Sequence, residues 1–459
     1  MYYIKMTEIK RISAFNRESC TICGLCLNQC PVMQLPLEEA KKEVKRLIIK
    51  EESKYTLSKC NSCVSCNLIC PQGANPYQLI LERWNDLYKT RGAPPLYRFV
   101  CPTETPNIWQ LTNIFLSNEE KKWINKWMNY EPHPNDTIFL IGNYSHLFPF
   151  IFGGSKLLSN FKPIDKIDHW EAGAYLYQGG YLDMVQKIAI KTKKDLDRWG
   201  VRNVIVPTDA VQIQFTIIHP NEMGVHHSQN FINFHEWLIE NIDSGKISLN
   251  QAPLNMSVTI HDNCYSKFQD GKYWDAPREI LSKCGCRLTE MKHHKQNSLC
   301  CGFGAGASWV KNMSLPFDII YAGSKKFKEA EQTGAEALVS YCSGCLYLLW
   351  ATRELLGSKV NIYHIVEIVR MAIGEKIRYP KLHVKRAWDV IAIITYQLLV
   401  STFQKKFFIK NITYDKNRST FIPKKFRVLK LIRLLFDIPI IRSFYAKFFR
   451  TLMPLMKTK

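Results

Sequence analysis

The chain has 459 residues, 46% of them hydrophobic and 12% aromatic, with a formal net charge of +22 and 16 cysteines. That length suggests about three domains, and that composition excludes a wholly disordered chain. No run of 18 or more apolar residues occurs, which argues against a membrane-spanning helix.

The start, MYYIKMTEIKRISAFNRES, is polar and lacks an apolar h-region, so no secretory signal and a cytoplasmic home are expected. Cysteines in that reducing setting point to metal or cluster ligation rather than disulfides. The first block is Cys20-x2-Cys23-x2-Cys26-x3-Cys30 followed by Pro31. The second is Cys60-x2-Cys63-x2-Cys66-x3-Cys70 followed by Pro71. Three thiolates two residues apart can wrap one loop around a cubic iron–sulfur cluster. The fourth reaches outward and, in two-cluster ferredoxins, ligates the partner cluster. One cluster is therefore assigned to Cys20, Cys23, Cys26 and Cys70, and a second to Cys60, Cys63, Cys66 and Cys30. Gly24 lets the backbone pass close to sulfide. Structural zinc sites fit less well, because they use paired C-x2-C units separated by longer loops. The linker from Pro36 to Ser58, with Leu37, Val44, Leu47 and Ile48 at helical spacing, predicts one helix. With that linker, the module resembles the helical two-cluster ferredoxin modules of respiratory dehydrogenase subunits.

Further along, Lys187–Trp199, Gly200 and VRNVIVPTDAVQ read as helix, glycine cap, buried strand and loop. The same order returns at Lys325–Thr333, Gly334 and AEALVSYCSGC. The later copy carries cysteines: Cys264 in IHDNCYSKF, Cys300 and Cys301 in LCCGFGAGAS, and Cys342 and Cys345 in LVSYCSGCLYLL.

These three stretches resemble the cysteine-rich "CCG" domain of heterodisulfide reductase catalytic subunits. The same domain occurs in iron–sulfur subunits of anaerobic glycerol-3-phosphate, glycolate and lactate dehydrogenases. The resemblance covers about residues 15–370. The family carries two such domains in tandem, which makes the earlier half-repeat a copy without cysteines. On the sequence register, Asp209 and Gln212 stand for Cys342 and Cys345, Glu171 and Ala172 for the paired cysteines, and Asn143 for Cys264. Asn263 stands where the family has proline. The resemblance implies a third iron–sulfur cluster on Cys264, Cys300, Cys301, Cys342 and Cys345, of the non-cubane kind found in heterodisulfide reductases. A cubane cluster or zinc remain alternatives there. Gly302, Gly304 and Gly306 would let backbone N–H groups reach the sulfides.

Cys101, Cys284 and Cys286 read as packed thiols, and His293 and His294 as a solvated basic stretch. No P-loop, GxGxxG or nucleophile elbow is present, so flavin or nicotinamide would belong to a partner chain. Residues 376–459 hold 20 Lys and Arg against 3 Asp and Glu, a balance of +17 that leaves +5 for the other 375 residues. Val390–Val400 is an apolar run too short to span a bilayer. Beyond it, bases at 424, 427, 430 and 433 form one helical stripe, and Val428, Leu431, Ile432, Leu435 and Phe436 another. Such a helix lies well on an anionic membrane surface or docks on a partner protein; a phosphate-binding arm would need no apolar stripe.

The expected fold class is α+β. It comprises a helical two-cluster ferredoxin domain (1–95), a CCG-type α/β domain without ligands (96–235), an intact CCG domain (236–375) and a basic amphipathic tail (376–459). The expected function is electron transfer within a membrane-associated oxidoreductase, from a flavin-bearing partner through two 4Fe–4S clusters and the third centre to a quinone or similar acceptor. Such a protein would sit peripherally on the inner face of the cell membrane and bind no nucleic acid. A disulfide reductase is the alternative.

Overall fold

The computed structural model describes residues 14–101, 104–165, 172–269, 271–304, 314–377, 381–408 and 426–456. The first module is built from short helices: α1 (Leu25–Asn28), α2 (Leu37–Ile48), α3 (Thr56–Lys59), α4 (Ser65–Ile69) and α5 (Pro76–Arg91). The linker is thus not one helix to Ser58. It ends at Ile48, and Lys50 turns the chain with a φ of +60°. The cause is Glu43. Its buried carboxylate accepts from the N–H groups of Lys54, Tyr55 and Thr56 at 2.9–3.2 Å, and so caps α3 from outside.

The two cysteine loops share one backbone path. Ile22 (φ +56°) and Gly24 (φ +78°) precede α1, while Ser62 (φ +50°) and Val64 (φ +67°) precede α4. Left-handed turns at matching positions curl each loop around a centre. Val64, branched at Cβ, holds a conformation that glycine takes without strain at Gly24.

Beyond this module come helix α6 (Asn118–Asn129) and two four-stranded sheets. The first contains β1 (Thr137–Leu140), β2 (Lys162–Ile164), β3 (Asn203–Val206) and β4 (Asn230–Asn233), in spatial order β2-β1-β3-β4. Helix α7 (Leu182–Trp199) leads into β3, and α8 (Asp209–Ile213) leaves it. The second contains β5 (Ser257–His261), β6 (Arg287–Leu288), β7 (Ala337–Ser340) and β8 (Asn361–His364), in the order β6-β5-β7-β8. There α9 (Leu315–Gln332) leads into β7, and α10 (Ser343–Leu356) leaves it. All pairings within both sheets are parallel. Strand β7 is buried along its whole length, as an inner strand of a sheet covered on both faces must be. In both sheets the winding reverses between the two central strands. A crevice opens at the carboxyl ends of such a pair, where open α/β sheets bind ligands.

Matching the sheets strand by strand corrects the sequence register by one residue. Asn203 takes the place of Ala337, so Thr208 stands for Cys342 and Val211 for Cys345. Both Thr208 and Cys342 are N-caps of the following helix. Asn143 does stand for Cys264 on the same matching. Glu171 lies outside the described residues.

The C-terminal region is not a detached tail. Helix α11 (Lys381–Ser401) contains the apolar run and packs it against α10, with Ala387, Trp388, Val390, Ile391, Ala392 and Ile393 buried. Helices α12 (Arg427–Leu435) and α13 (Pro439–Met456) then pack on α11, α9 and α10. One residue of each expected stripe of α12 departs from it. Arg433 and Phe436 point inward, and Val428, Leu431 and Leu435 point out. Asp389 decides this. It is buried, and Arg433 reaches it at 2.5 Å while Arg386 lies 3.3 Å from its other oxygen. Lys424 lies outside the described residues.

Arg386 is fully buried and holds Glu120 of α6 at 2.6 Å. Removing one partner of a buried ion pair strands the other, at a cost of about 3–5 kcal/mol. Arg386→Met is expected to lower stability by about 3 kcal/mol in urea unfolding followed by circular dichroism. A loss below about 1 kcal/mol would show that the pair is solvated.

Candidate metal centres

None of the sixteen cysteines is in a disulfide. Cys20, Cys23, Cys26 and Cys70 line one cavity, walled by Gly24, Val44, Leu47 and Ile80. The loop before α1 supplies Cys20 and Cys23, the first turn of α1 supplies Cys26, and the turn after α4 supplies Cys70. Burial, then the proximity of Cys70 and of the loop's other thiols, pushes the Cys26 thiol up to about 12. Ala74 N–H points at the Cys70 sulfur at 3.4 Å. Cys60, Cys63, Cys66 and Cys30 gather around the second loop. There burial, then Cys60, raises the Cys66 thiol far above its ordinary value. Burial and Cys63 raise Cys30 to about 11, against the N–H groups of Val32 and Met33 and the Lys267 ammonium. Four buried thiols this close cannot ionise together unless a cationic centre compensates them. The donor chemistry therefore fits iron–sulfur clusters.

The third set lies in the crevice of the second sheet. Cys264 follows β5, Cys342 and Cys345 open α10 after β7, and Cys300 and Cys301 come from the loop before α9. The five share one cavity of about 790 Å³ of free space, mouth included. Cys342 and Cys345 sit at the N-terminal end of α10, where neighbouring Cys301 and Cys342 and burial raise the Cys345 thiol well above its ordinary value. Gly302 N–H points at Cys300 sulfur at 3.3 Å, and Phe303 N–H at Cys301 sulfur at 3.4 Å. Gln178 donates to Cys264 sulfur at 2.8 Å. Burial, then Cys301 and Cys342, still raises the Cys264 thiol to about 12. Cys301 is the exception: burial opposes its ionisation, but hydrogen bonds from Cys300, Cys345 and His261 hold its thiol well below the usual value. Gly306 lies outside the described residues.

Three features of this site were not read from the sequence. His261, at the end of β5, is buried, and one of its ring nitrogens lies within 4.8 Å of the Cys301 and Cys345 sulfurs. Its place three residues before Cys264 was the available signal. The first sheet supplies the opposite wall of the cavity with Gly142, Ser145, Thr208 and Val211. Asn263 ties the two halves together. Its amide donates to Asp209 at 3.0 Å, and its side-chain oxygen accepts from Ser266 N–H at 3.1 Å. Proline could do neither. Burial pushes the Asp209 carboxyl up to about 7, although the Asn263 hydrogen bond opposes that rise.

The second ferredoxin loop touches the third site directly. Ser62 hydroxyl donates to Gln178 carbonyl at 2.8 Å, and Lys267 donates to Ser65 hydroxyl at 3.0 Å. Cys63 and Cys300 line the same cleft. A Cβ on Gly304 would lie 2.0 Å from Asn61 carbonyl oxygen, so only glycine allows this approach. The remaining cysteines stand apart from the three sets: Cys101 and Cys284 are buried, and Cys286 half-buried. The histidine pair is not simply solvated. His293 pairs with the Glu329 carboxylate, and His294 Nδ1 meets Met291 carbonyl at 2.8 Å.

Two domain families match this chain: the 4Fe–4S dicluster domain over residues 17–74 and the cysteine-rich CCG domain over residues 258–349. The chain belongs to the iron–sulfur oxidoreductases that carry CCG domains. Its ferredoxin domain accordingly holds 4Fe–4S clusters, and its CCG domain an additional iron–sulfur centre. Among this oxidoreductase's relatives is a component of the dihydromethanophenazine:CoB–CoM heterodisulfide reductase from Methanosarcina barkeri. It is 24% identical over 337 residues, covering 71% of this chain and 80% of the relative. A component of the CoM/CoB fumarate reductase of Methanothermobacter marburgensis is 24% identical over 78% of this chain and 72% of its own. A probable iron–sulfur-binding oxidoreductase of Bacillus subtilis, FadF, is 23% identical over 77% of this chain and 46% of its own.

In this oxidoreductase Gly304→Ala is expected to push the CCG loop off the ferredoxin loop, because the new methyl overlaps Asn61 oxygen. Paramagnetic resonance should show the CCG-centre signal lost or shifted, with ferredoxin-domain signals retained. An unchanged signal would mean that the two loops do not touch in solution.

Proposed function

We propose that this chain is the electron-transfer subunit of a membrane-associated oxidoreductase. Electrons arrive from a flavin-bearing partner, pass the cluster held by Cys20, Cys23, Cys26 and Cys70 and that held by Cys60, Cys63, Cys66 and Cys30, and end at the Cys264, Cys300, Cys301, Cys342 and Cys345 set. A quinone or similar carrier then takes them. One observation carries this reading. The second ferredoxin loop lies against the CCG loop at Asn61 and Gly304, with Cys63 and Cys300 in one cleft, so the second and third centres are neighbours. Iron–sulfur clusters supply one-electron exchange, and the protein supplies spacing, burial and N–H dipoles.

Residues 96–235 are read as a copy of 236–375 without cysteine ligands, supported by the identical strand order of the two sheets. With Thr208 and Val211 at two ligand positions, that half has no thiolates for a second soft-metal site. This weakens the disulfide-reductase alternative, which calls for two clusters facing one another.

The outer face of α12 and α13 supports membrane docking. Ile440 is 81% exposed and Phe444 71%, beside exposed Val428, Leu431 and Phe448. Arg427, Lys430 and Lys447 are exposed on the same helices. Apolar side chains among bases suit an anionic bilayer surface. Among the described residues, no helix is long and apolar enough to cross a membrane.

Anaerobically purified protein is expected to contain iron and acid-labile sulfide; stoichiometric zinc without iron would refute the relay. Cys301→Ser should abolish the third centre's resonance and spare those of the ferredoxin domain. Loss of all three together would refute the ligand partition. Phe444→Asp with Ile440→Asp should abolish co-flotation with vesicles containing anionic lipid and leave the iron content unchanged. Retained flotation would assign membrane contact elsewhere.

A further inference from the structure

A second cavity lies on the far side of the CCG site, between it and the C-terminal helices. It has about 830 Å³ of free space, mouth included. Helix α9 contributes Leu315 and Ile319, α11 contributes Ile391, Ile394 and Gln397, and α13 contributes Tyr445 and Phe449. None of its described lining residues is charged. Three aromatic residues, Tyr144, Tyr175 and Phe303, line both this cavity and the cysteine cavity. Their rings form a single wall: Phe303 lies 4.8 Å from Tyr144 and 4.5 Å from Tyr175, centroid to centroid. Phe303 is two residues from Cys301 and donates its N–H to that sulfur at 3.4 Å. On the opposite side, α13 carries exposed Ile440, Phe444 and Phe448 on its outer surface.

Besides tyrosine hydroxyls, one side-chain amide interrupts the apolar lining. Gln397 is only 7% exposed, and its side-chain amide nitrogen has no hydrogen-bond partner. A buried donor left unpaired is costly, so such a group marks where an acceptor is meant to arrive. The missing partner is an acceptor on an otherwise apolar molecule. A fatty acid does not match, because its carboxylate would meet no cation among the described lining residues. A flat neutral ring bearing a carbonyl matches the aromatic wall, the amide donor and the absence of charge.

We propose that this cavity binds a lipid-soluble quinone, with one carbonyl on Gln397 and its ring against the Tyr144, Tyr175 and Phe303 wall. The inference rests on the relay reading and places that relay's acceptor inside this chain. Reduction of the quinone to its quinol takes two electrons, delivered singly from the reduced clusters, and two protons from water.

The test uses the full, oxidised holoprotein and a short-chain benzoquinone carrying a decyl tail, with decanoic acid as control. Calorimetry should show saturable binding of the quinone at one site and none of the acid. Gln397→Leu keeps the volume and removes the donor, and should weaken binding about ten-fold. Ile394→Trp fills the cavity and should abolish binding. Both variants should keep wild-type iron content and cluster spectra, which shows that they fold. Wild-type affinity in both variants, or equal binding of decanoic acid, would overturn the proposal. Stopped-flow reoxidation separates it from the relay. Quinone that binds here but leaves reduced clusters reduced would refute the relay and keep the site. Quinone that oxidises wild type and both variants alike would keep the relay and refute the site.

Discussion

Buried thiols that cannot ionise alone are the constraint on which this molecule depends. Each cysteine set sits in a largely apolar pocket, where burial and neighbouring sulfurs both favour the protonated form, as at Cys26, Cys66 and Cys264. A cationic iron–sulfur centre removes that penalty. Crowded thiolates of this kind gain stability around such a centre. The surrounding dipoles point the same way. Backbone N–H groups of Gly302, Phe303 and Ala74 face sulfur, and the α10 terminus faces Cys342.

The two sheets then explain why the third set lies where it does. Each reverses its winding between central strands, and each opens a crevice there. In the second sheet the crevice is filled with sulfur. In the first, the same positions carry Asn143, Thr208 and Val211, and the crevice becomes a wall for its neighbour. Asp209 and Asn263 join the halves by one hydrogen bond across the interface. A scaffold that has no ligands of its own still shapes the cavity that has them.

The C-terminal helices show how a buried charge can set orientation. Pattern alone puts the bases and the apolar side chains of α12 on two separate stripes, the apolar one facing a membrane or a partner. Asp389 of α11 is buried, however, and an unpaired carboxylate there would cost more than exposing a few aliphatic side chains. Arg433 is drawn in to meet it, and Val428, Leu431 and Leu435 are left facing out. An apolar outer surface results, carried by three residues of the expected apolar stripe, while Phe436 of that stripe is buried.

Spacing by itself pointed to the two ferredoxin cysteine sets, because a loop that wraps a cluster needs its ligands at short, regular intervals, whereas the third set followed from a family resemblance. The α+β class was legible too, since buried parallel strands and their capping helices leave local patterns. What lay beyond the sequence was non-local. Glu43 cutting the linker helix, the one-residue register of Thr208 against Cys342, the approach of Gly304 to Asn61 and the turn of α12 around Asp389 each depend on residues brought together only by folding. The opening totals divide in the same way. Eight of the 16 cysteines were assignable from their spacing and five more from a family resemblance, whereas the +17 of the C-terminal region proved part core and part surface. A charge declares its role only when its partner is known, and the partners of Arg386 and Arg433 were chosen by the tertiary structure.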